Sequence, residues 1–547
     1  EKLIFHISVG VEPNRTALSN GILQGKTKES GKVFWHYQMQ QPMSSYLVML
    51  TIGDFVKQES KTASGTPLEY YLEQTDAALF EPTYRHTESL FDFMEKEIGI
   101  PYPWKLYRQV PVRDFLYSGM ENTTSTIFAQ DFVVDEIGYN DKTYTNVNAH
   151  ELAHQWFGNL VTAQSGKHHW LQEGFATYYA LLSERHLFGD DFFYLELYEM
   201  AERLQRVSRT DTIPILNEKA SSLTFYQKGA WAVHVLREQM GKEAFQKAVK
   251  SFLKKYAYST ATTDQFLSEV QKVSKVDVQK FKRDWLETPG FRIHEAIGYL
   301  KKNGVVARYL ELIEWQEIPF EDKSDRLLAL LHPDSPEIIQ QEVLEQLLEV
   351  PYEQKKAFLL RAFRTGSLKV RQTLAQTVTE IPEEILPFYE SLLQDTSYLT
   401  KEIALGTLWR VQPDKRSEYL NLSKDWVGFH DKNLRILWLT LALITPDYDN
   451  EQKVYFYDEL LRYASSKYTS SVRQNALTNL LYLNPNDQNV LKHLVNATTH
   501  HKWQFTLFAR NQLRELIKSE PHKKFLSELL SELNKEEKKN LNRLLED

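Results

Sequence analysis

Two histidines four residues apart, His150 and His154, bracket a glutamate in the run Asn148-Ala149-His150-Glu151-Leu152-Ala153-His154-Gln155-Trp156. On a helix both imidazoles would share one face and could hold one cation. Glu151 would be carried beside that cation and not onto it, the place of a base that acts on water. After eighteen intervening residues comes Glu173, in Trp170-Leu171-Gln172-Glu173-Gly174-Phe175-Ala176 at the start of the next helical run. Two histidines, one carboxylate and an open fourth position form the ligand set of a catalytic zinc site, whereas structural sites are closed. The competing reading of the histidine pair alone is a helix with two surface imidazoles, and the third ligand weighs against it. His168 and His169 lie between the two helices, but adjacent side chains diverge, and they are not read as ligands.

These side chains need elements to position them. Asn146 to Leu160 and Trp170 to Arg185 read as helices, as does Arg85 to Glu97, where Leu90, Phe91, Phe93 and Met94 fall on one face. Gly158 and Gly189 stand near helix ends, where a residue tolerant of positive φ is often used. Thr262-Thr263-Asp264 opens a capped helix through Phe266, Val270 and Val273. Upstream, Leu3 to Val56 alternates apolar and polar residues between turns such as Ser19-Asn20-Gly21, the pattern of antiparallel strands. So few strands do not easily make a stable sandwich, so the segment reads as the end of a larger β domain or a sheet packed on its neighbour. Beyond Pro289-Gly290 the sequence is helical throughout, broken at Asp334-Ser335-Pro336, Pro413-Asp414, Pro446-Asp447 and Pro485-Asn486. Helix openings recur at Val370-Arg371, Lys401, Leu434-Arg435, Val472-Arg473 and Ala509-Arg510. Their spacing of roughly 30–40 residues suggests stacked helix pairs, with a non-repetitive bundle as the alternative. The fold class is therefore α+β and multidomain, divided as 1–58, 59–292 and 293–547.

Composition narrows the chemistry. With 42% apolar and 25% charged residues over 547 positions, the chain is that of an ordinary globular protein long enough for several cores. A net charge of −8 supplies no basic field for phosphates, which argues against a nucleic-acid partner. There is no cysteine, so any metal rests on His, Asp or Glu and no thiol nucleophile exists. No apolar run reaches the length of a transmembrane helix and no signal-peptide core opens the chain. We expect a soluble, cytoplasmic or periplasmic monomer.

The chain resembles the zinc aminopeptidases that include aminopeptidase N and the leukotriene hydrolase, a gluzincin family. The resemblance rests on His150-Glu151-Leu152-Ala153-His154, Glu173, Ser118-Gly119-Met120-Glu121-Asn122 and Tyr226-Gln227-Lys228-Gly229. It covers about residues 1–290 strongly and the helical tail more loosely, and it lacks the beginning of the family's β domain. It implies a thermolysin-like catalytic domain and a helical-repeat domain of HEAT or armadillo type that covers the active site. It implies an edge strand with substrate-binding Gly119, Met120, Glu121 and Asn122, Glu121 taking the substrate's α-amino group. Tyr226 would donate to the tetrahedral oxyanion, and Lys228 would be structural. Ser118 stands where the motif's first glycine is expected, so its Cβ could re-aim the strand.

The expected activity is that of a metalloprotease: hydrolysis of the N-terminal residue from peptides with a free N-terminus. It would use one zinc per chain on His150, His154 and Glu173, with Glu151 as general base. The alternatives are an epoxide hydrolase or endopeptidase on the same scaffold, or a catalytically silent helical scaffold protein.

Overall fold

A computed structural model describes residues 2–546. The chain forms two compact units, one of residues 1–112, 117–128 and 143–311 and the other of 113–116, 129–142 and 312–547.

The first unit begins with strands β1 (His6–Val11), β2 (Thr16–Ser19), β3 (Ile22–Glu29), β4 (Lys32–Gln38) and β5 (Leu50–Gly53). They form two antiparallel sheets, β1-β4-β3 and β2-β5. Next come β6 (Phe55–Lys61), β7 (Pro67–Glu73), helix α1 (Thr87–Ile98), β8 (Tyr107–Val112), β9 (Gly119–Met120) and β10 (Ser125–Ala129). These strands make one five-stranded sheet in the order β9-β10-β8-β7-β6, with β7 and β8 parallel and β9 at an edge.

Arg108 on β8 ties these sheets together. Its side chain is 2% exposed; it pairs with Glu69 on β7 and donates to the Ser19 and Gly21 carbonyls and to Ser125 Oγ. The buried Asn20 adds bonds to the Thr123 and Leu47 carbonyls. The short turn read from Ser19-Asn20-Gly21 is therefore a joint, where buried polar groups of three strands meet full partners.

Helix α2 (Thr145–Ala153) meets the edge strand β9, and α3 (Trp170–Phe188) packs against both α2 and α4 (Gly229–Met240). From Trp170 to Ala176 every residue of α3 is buried, and so is most of the helix beyond, as expected of a core helix. The run expected to be helical to Leu160 ends sooner, at Ala153. Trp156, Phe157 and Leu160 keep a helical apolar spacing, but the backbone widens there. The amides of Asn159, Leu160 and Val161 bond five residues back, to the carbonyls of His154, Gln155 and Trp156, and Gly158 adopts φ +131°. Thr262 opens α5 (Thr263–Val273) with a full capping box to Gln265.

The second unit is helical beyond residue 312. Its helices include α6 (Glu337–Glu345), α7 (Tyr352–Thr365), α8 (Leu368–Thr377), α9 (Leu386–Glu390), α10 (Tyr398–Val411) and α11 (Arg416–Ser423). They continue with α12 (Asn433–Ile444), α13 (Lys453–Tyr463), α14 (Ser470–Leu483), α15 (Gln488–Ala497) and α16 (Trp503–Ile517). Each even-numbered helix from α6 packs against the next even-numbered one. Arg371, Arg435 and Arg473, on α8, α12 and α14, each donate to the carbonyl of the residue that ends the preceding helix: Gly366, Lys424 and Ala464. Each also bonds forward, to Asp395, Glu459 and Asn496 respectively. Two aspartates from the earlier segments of this unit cap helices from outside. Asp141 accepts from the Tyr398 and Leu399 amides at the start of α10, and Asp114 from the Ser470 amide at the start of α14. No helix among the described residues is long and apolar enough to cross a membrane.

Candidate metal and substrate site

α2 and the first turn of α3 bring His150, His154 and Glu173 together, with one ligand atom from each within 4.8 Å of the others. The two Nε2 atoms are 3.0 Å apart, and Glu173 Oε2 lies 3.4 Å from that of His150 and 3.2 Å from that of His154. The early end of α2 has a direct consequence here. In a continuing helix the Phe157 carbonyl would accept the amide of residue 161; instead it accepts from His154 Nδ1 at 2.8 Å. That bond fixes the tautomer and leaves Nε2 for the cluster, the usual support of a metal-ligating histidine.

The donor set fits a zinc ion on the structure's own evidence. Glu173 Oε2 is buried and lacks a hydrogen-bond partner although two ring nitrogens face it, an arrangement a shared cation would satisfy. Two imidazoles and a carboxylate suit zinc, while magnesium and calcium take oxygen ligands. Burial opposes charge on His154, but Glu173 and Glu121 beside it push its pKa up to about 10. Burial and the neighbouring His154 hold His150 low. Burial likewise opposes charge on Glu173, yet the charge on His154 and the His150 and His154 rings facing it keep its carboxyl well below the usual range.

Glu151, Glu121 and His154 form a second cluster, also within 4.8 Å. Glu151 is buried and its Oε2 has no hydrogen-bond partner. Burial raises its pKa well above the ordinary carboxylate value, against the pull of His154. The carboxylate lies under the edge strand β9, where a Cβ on Gly119 would stand 2.4 Å from Oε1. The position that needs the space is thus Gly119, and Ser118 beside it is exposed.

Glu121 follows β9 and is 8% exposed. Its backbone carbonyl accepts from Asn159 Nδ2 at 2.7 Å and Gln155 Nε2 at 3.3 Å, so the widened turn after α2 also holds the segment that follows β9. Met120 is half-buried, and Asn122 donates to the Leu47 carbonyl. Tyr226 sits in a π-helical turn, Thr224–Lys228, that runs into α4. Its ring lies parallel to that of His150, 5.5 Å between centroids and 8° between planes. Burial, then Glu173 and Glu151, raise its pKa, so the phenol keeps its proton.

The adjacent histidines diverge. His168 Nδ1 accepts from the Thr263 amide, while His169 Nε2 lies 3.3 Å from Glu173 Oε1, outside the three-ligand cluster. Lys228 is buried and donates to the Thr288 carbonyl. Sequence spacing missed Tyr46 and Gln172: the Tyr46 hydroxyl is 3.3 Å from Glu121 Oε1, and Gln172 Nε2 donates to it at 3.2 Å. These partners lie 75 and 126 residues from Tyr46 along the chain, beyond any local pattern.

Residues 83–285 match the family described as Peptidase family M1 domain. Among curated proteins, the chain is 30% identical over 309 residues to Aminopeptidase M1 of Arabidopsis thaliana, an alignment covering 54% of this chain and 35% of that protein. It is 28% identical over 307 residues to Leucyl aminopeptidase of Saccharolobus solfataricus, covering 53% and 38%. To human Endoplasmic reticulum aminopeptidase 2 it is 30% identical over 286 residues, covering 49% and 30%. The chain thus spans about a third of the length of the curated relatives it matches. A solved M1 zinc metallopeptidase from Deinococcus radiodurans superposes with a TM-score of 0.45 at 22% identity, over 52% of this chain and 64% of that one.

Proposed function

We propose that this chain, whose residues 83–285 match the peptidase family M1 domain, is an aminopeptidase that removes the N-terminal residue from peptides. Zinc is the cofactor the family indicates, and His150, His154 and Glu173 would hold it. Its positive charge would acidify water and polarise the scissile carbonyl.

The observation that carries the proposal is the third carboxylate. Glu121 crowds the site without belonging to the ligand cluster. Glu121 presents a third carboxyl group, beyond Glu173 in the ligand cluster and Glu151 beside it. A protonated substrate amine supplies a charge to pair with it, while an internal or acylated peptide segment brings no such charge. This favours an exopeptidase over an endopeptidase.

Glu151 takes the proton of the attacking water on its carboxylate and returns it to the leaving amine. Its closed surroundings, which raise its proton affinity, suit both transfers. The Tyr226 hydroxyl donates to the oxygen that becomes negative in the transition state, without adding a second cation. Gly119, by lacking a side chain, lets the edge strand lie over the base; Met120 and Asn122 complete the substrate strand.

We read the second unit as stacked helix pairs of HEAT or armadillo type. The support is its repeated arginine: Arg371, Arg435 and Arg473, on α8, α12 and α14, make the same backward bond to a helix-ending carbonyl. The division into 1–58, 59–292 and 293–547, action as a monomer, and peptides with a free N-terminus as substrates belong to this proposal.

The experiment is metal removal and return. Chelation should abolish hydrolysis of an aminoacyl-coumarin, and one equivalent of zinc should restore it. Zinc-replete protein with no activity on a panel of such substrates would sink the proposal.

A further inference from the structure

Beyond the motif residues, the geometry points to Tyr46 as the positioning residue that aims Glu121 at the substrate amine; this rests on the amine-anchor reading of Glu121. We propose that Ala163, Gln172 and Tyr46 form a one-way hydrogen-bond relay ending on that carboxylate. The direction is fixed at its start, because the Ala163 amide can only donate, and it donates to Gln172 Oε1 at 2.9 Å. The amide nitrogen of Gln172 is therefore turned to Tyr46, whose hydroxyl accepts from it at 3.2 Å. Having accepted, the hydroxyl directs its own proton to Glu121 Oε1, 3.3 Å away. One carboxylate oxygen is thereby held by the protein and the other is left for the ammonium group.

The frame around the relay is rigid. Gln172 is 3% exposed, one residue before the ligand Glu173. Gly158 gives it room: a Cβ there would stand 3.4 Å from Gln172 Nε2 and 3.3 Å from His154 Nδ1. Tyr46 lies in the turn Ser45–Leu47, and the Leu47 carbonyl accepts from both Asn122 and Asn20. The turn that carries Tyr46 is thus bonded, through Leu47, to the residue next to Glu121. Tyr46 as a whole is 49% exposed while its hydroxyl is engaged inward, the disposition of a wall beside a bound amine and not of a packing tyrosine.

The test is a double-mutant cycle on the full, zinc-loaded chain, with Tyr46→Phe, Glu121→Gln and both together. Each is measured for kcat and KM on leucyl-coumarin, for calorimetric affinity for leucine amide, and for thermal midpoint. Tyr46→Phe should raise KM and weaken leucine amide by roughly tenfold, the worth of one hydrogen bond to a charged group. It should leave kcat within about threefold and the midpoint unmoved. In the Glu121→Gln background it should add nothing. Unchanged KM and amide affinity in Tyr46→Phe, with Glu121→Gln impaired, would overturn the relay alone. Equal effects of Tyr46→Phe in both backgrounds would also overturn it. Unimpaired Glu121→Gln would overturn the amine anchor and the relay together.

Discussion

Gly174 and Gly229 meet backbone to backbone: a Cβ on Gly174 would stand 2.8 Å from the Gly229 carbonyl carbon. The first follows Glu173 at the start of α3, and the second follows the Tyr226 turn at the start of α4. The contact fixes how closely the helix that follows Tyr226 approaches the helix that carries Glu173. Gly174→Ala has no flexible neighbour to displace, so the helices must part. We expect a loss of about 1–3 kcal/mol in stability and a fall in turnover, with zinc still bound. Calorimetric unfolding and steady-state kinetics check both.

Glu151→Gln should bind zinc stoichiometrically and lose about 100- to 10,000-fold in turnover, the range for a positioned acid–base group. Metal analysis beside kcat measures this. A fully metallated, fully active variant would remove Glu151 from the base role.

Tyr226→Phe should lower kcat by about 100- to 1,000-fold with little change in KM, because the hydroxyl's bond strengthens only as the oxyanion forms. A change confined to KM would instead mean that the hydroxyl binds the ground state.

Arg108→Met should destabilise the first unit by about 3–5 kcal/mol, the cost of leaving one partner of a buried pair behind. The pair also sets a pH response. Burial works against Glu69, but Arg108 holds its carboxyl below the ordinary 4.5. A depressed folded value contributes stability that is complete above the unfolded value and is lost as pH falls through the folded one. The wild type should therefore lose stability below about pH 4, and Arg108→Met should lose less over that interval. Thermal midpoints between pH 7 and 3 test this.

What could be read from the sequence followed local order. His150 and His154 stand four apart, so helical period puts both on one face, while Glu173 in the next helical run is read from its residue type and from the resemblance. The helical character beyond Pro289-Gly290 and the recurring arginines were equally visible, though not that Arg371, Arg435 and Arg473 stitch each helix end to its successor. The end of α2 at Ala153 was hidden because Trp156, Phe157 and Leu160 continue a helical apolar spacing while Gly158 and wide backbone bonds break the helix. Tyr46 and Gln172 were out of reach for another reason. Their meaning lies in side-chain contacts across 75 and 126 residues of chain, and nothing in either residue's neighbourhood encodes such a contact.

Recognition of a free amine by Glu121 is the most direct consequence of the proposed function. On zinc-loaded protein, kcat/KM for leucyl-coumarin should exceed that for its N-acetylated form by at least about 100-fold, the worth of a buried charge-assisted contact. Equal cleavage of the two would contradict it, since Glu121 would then hold nothing that acetylation removes.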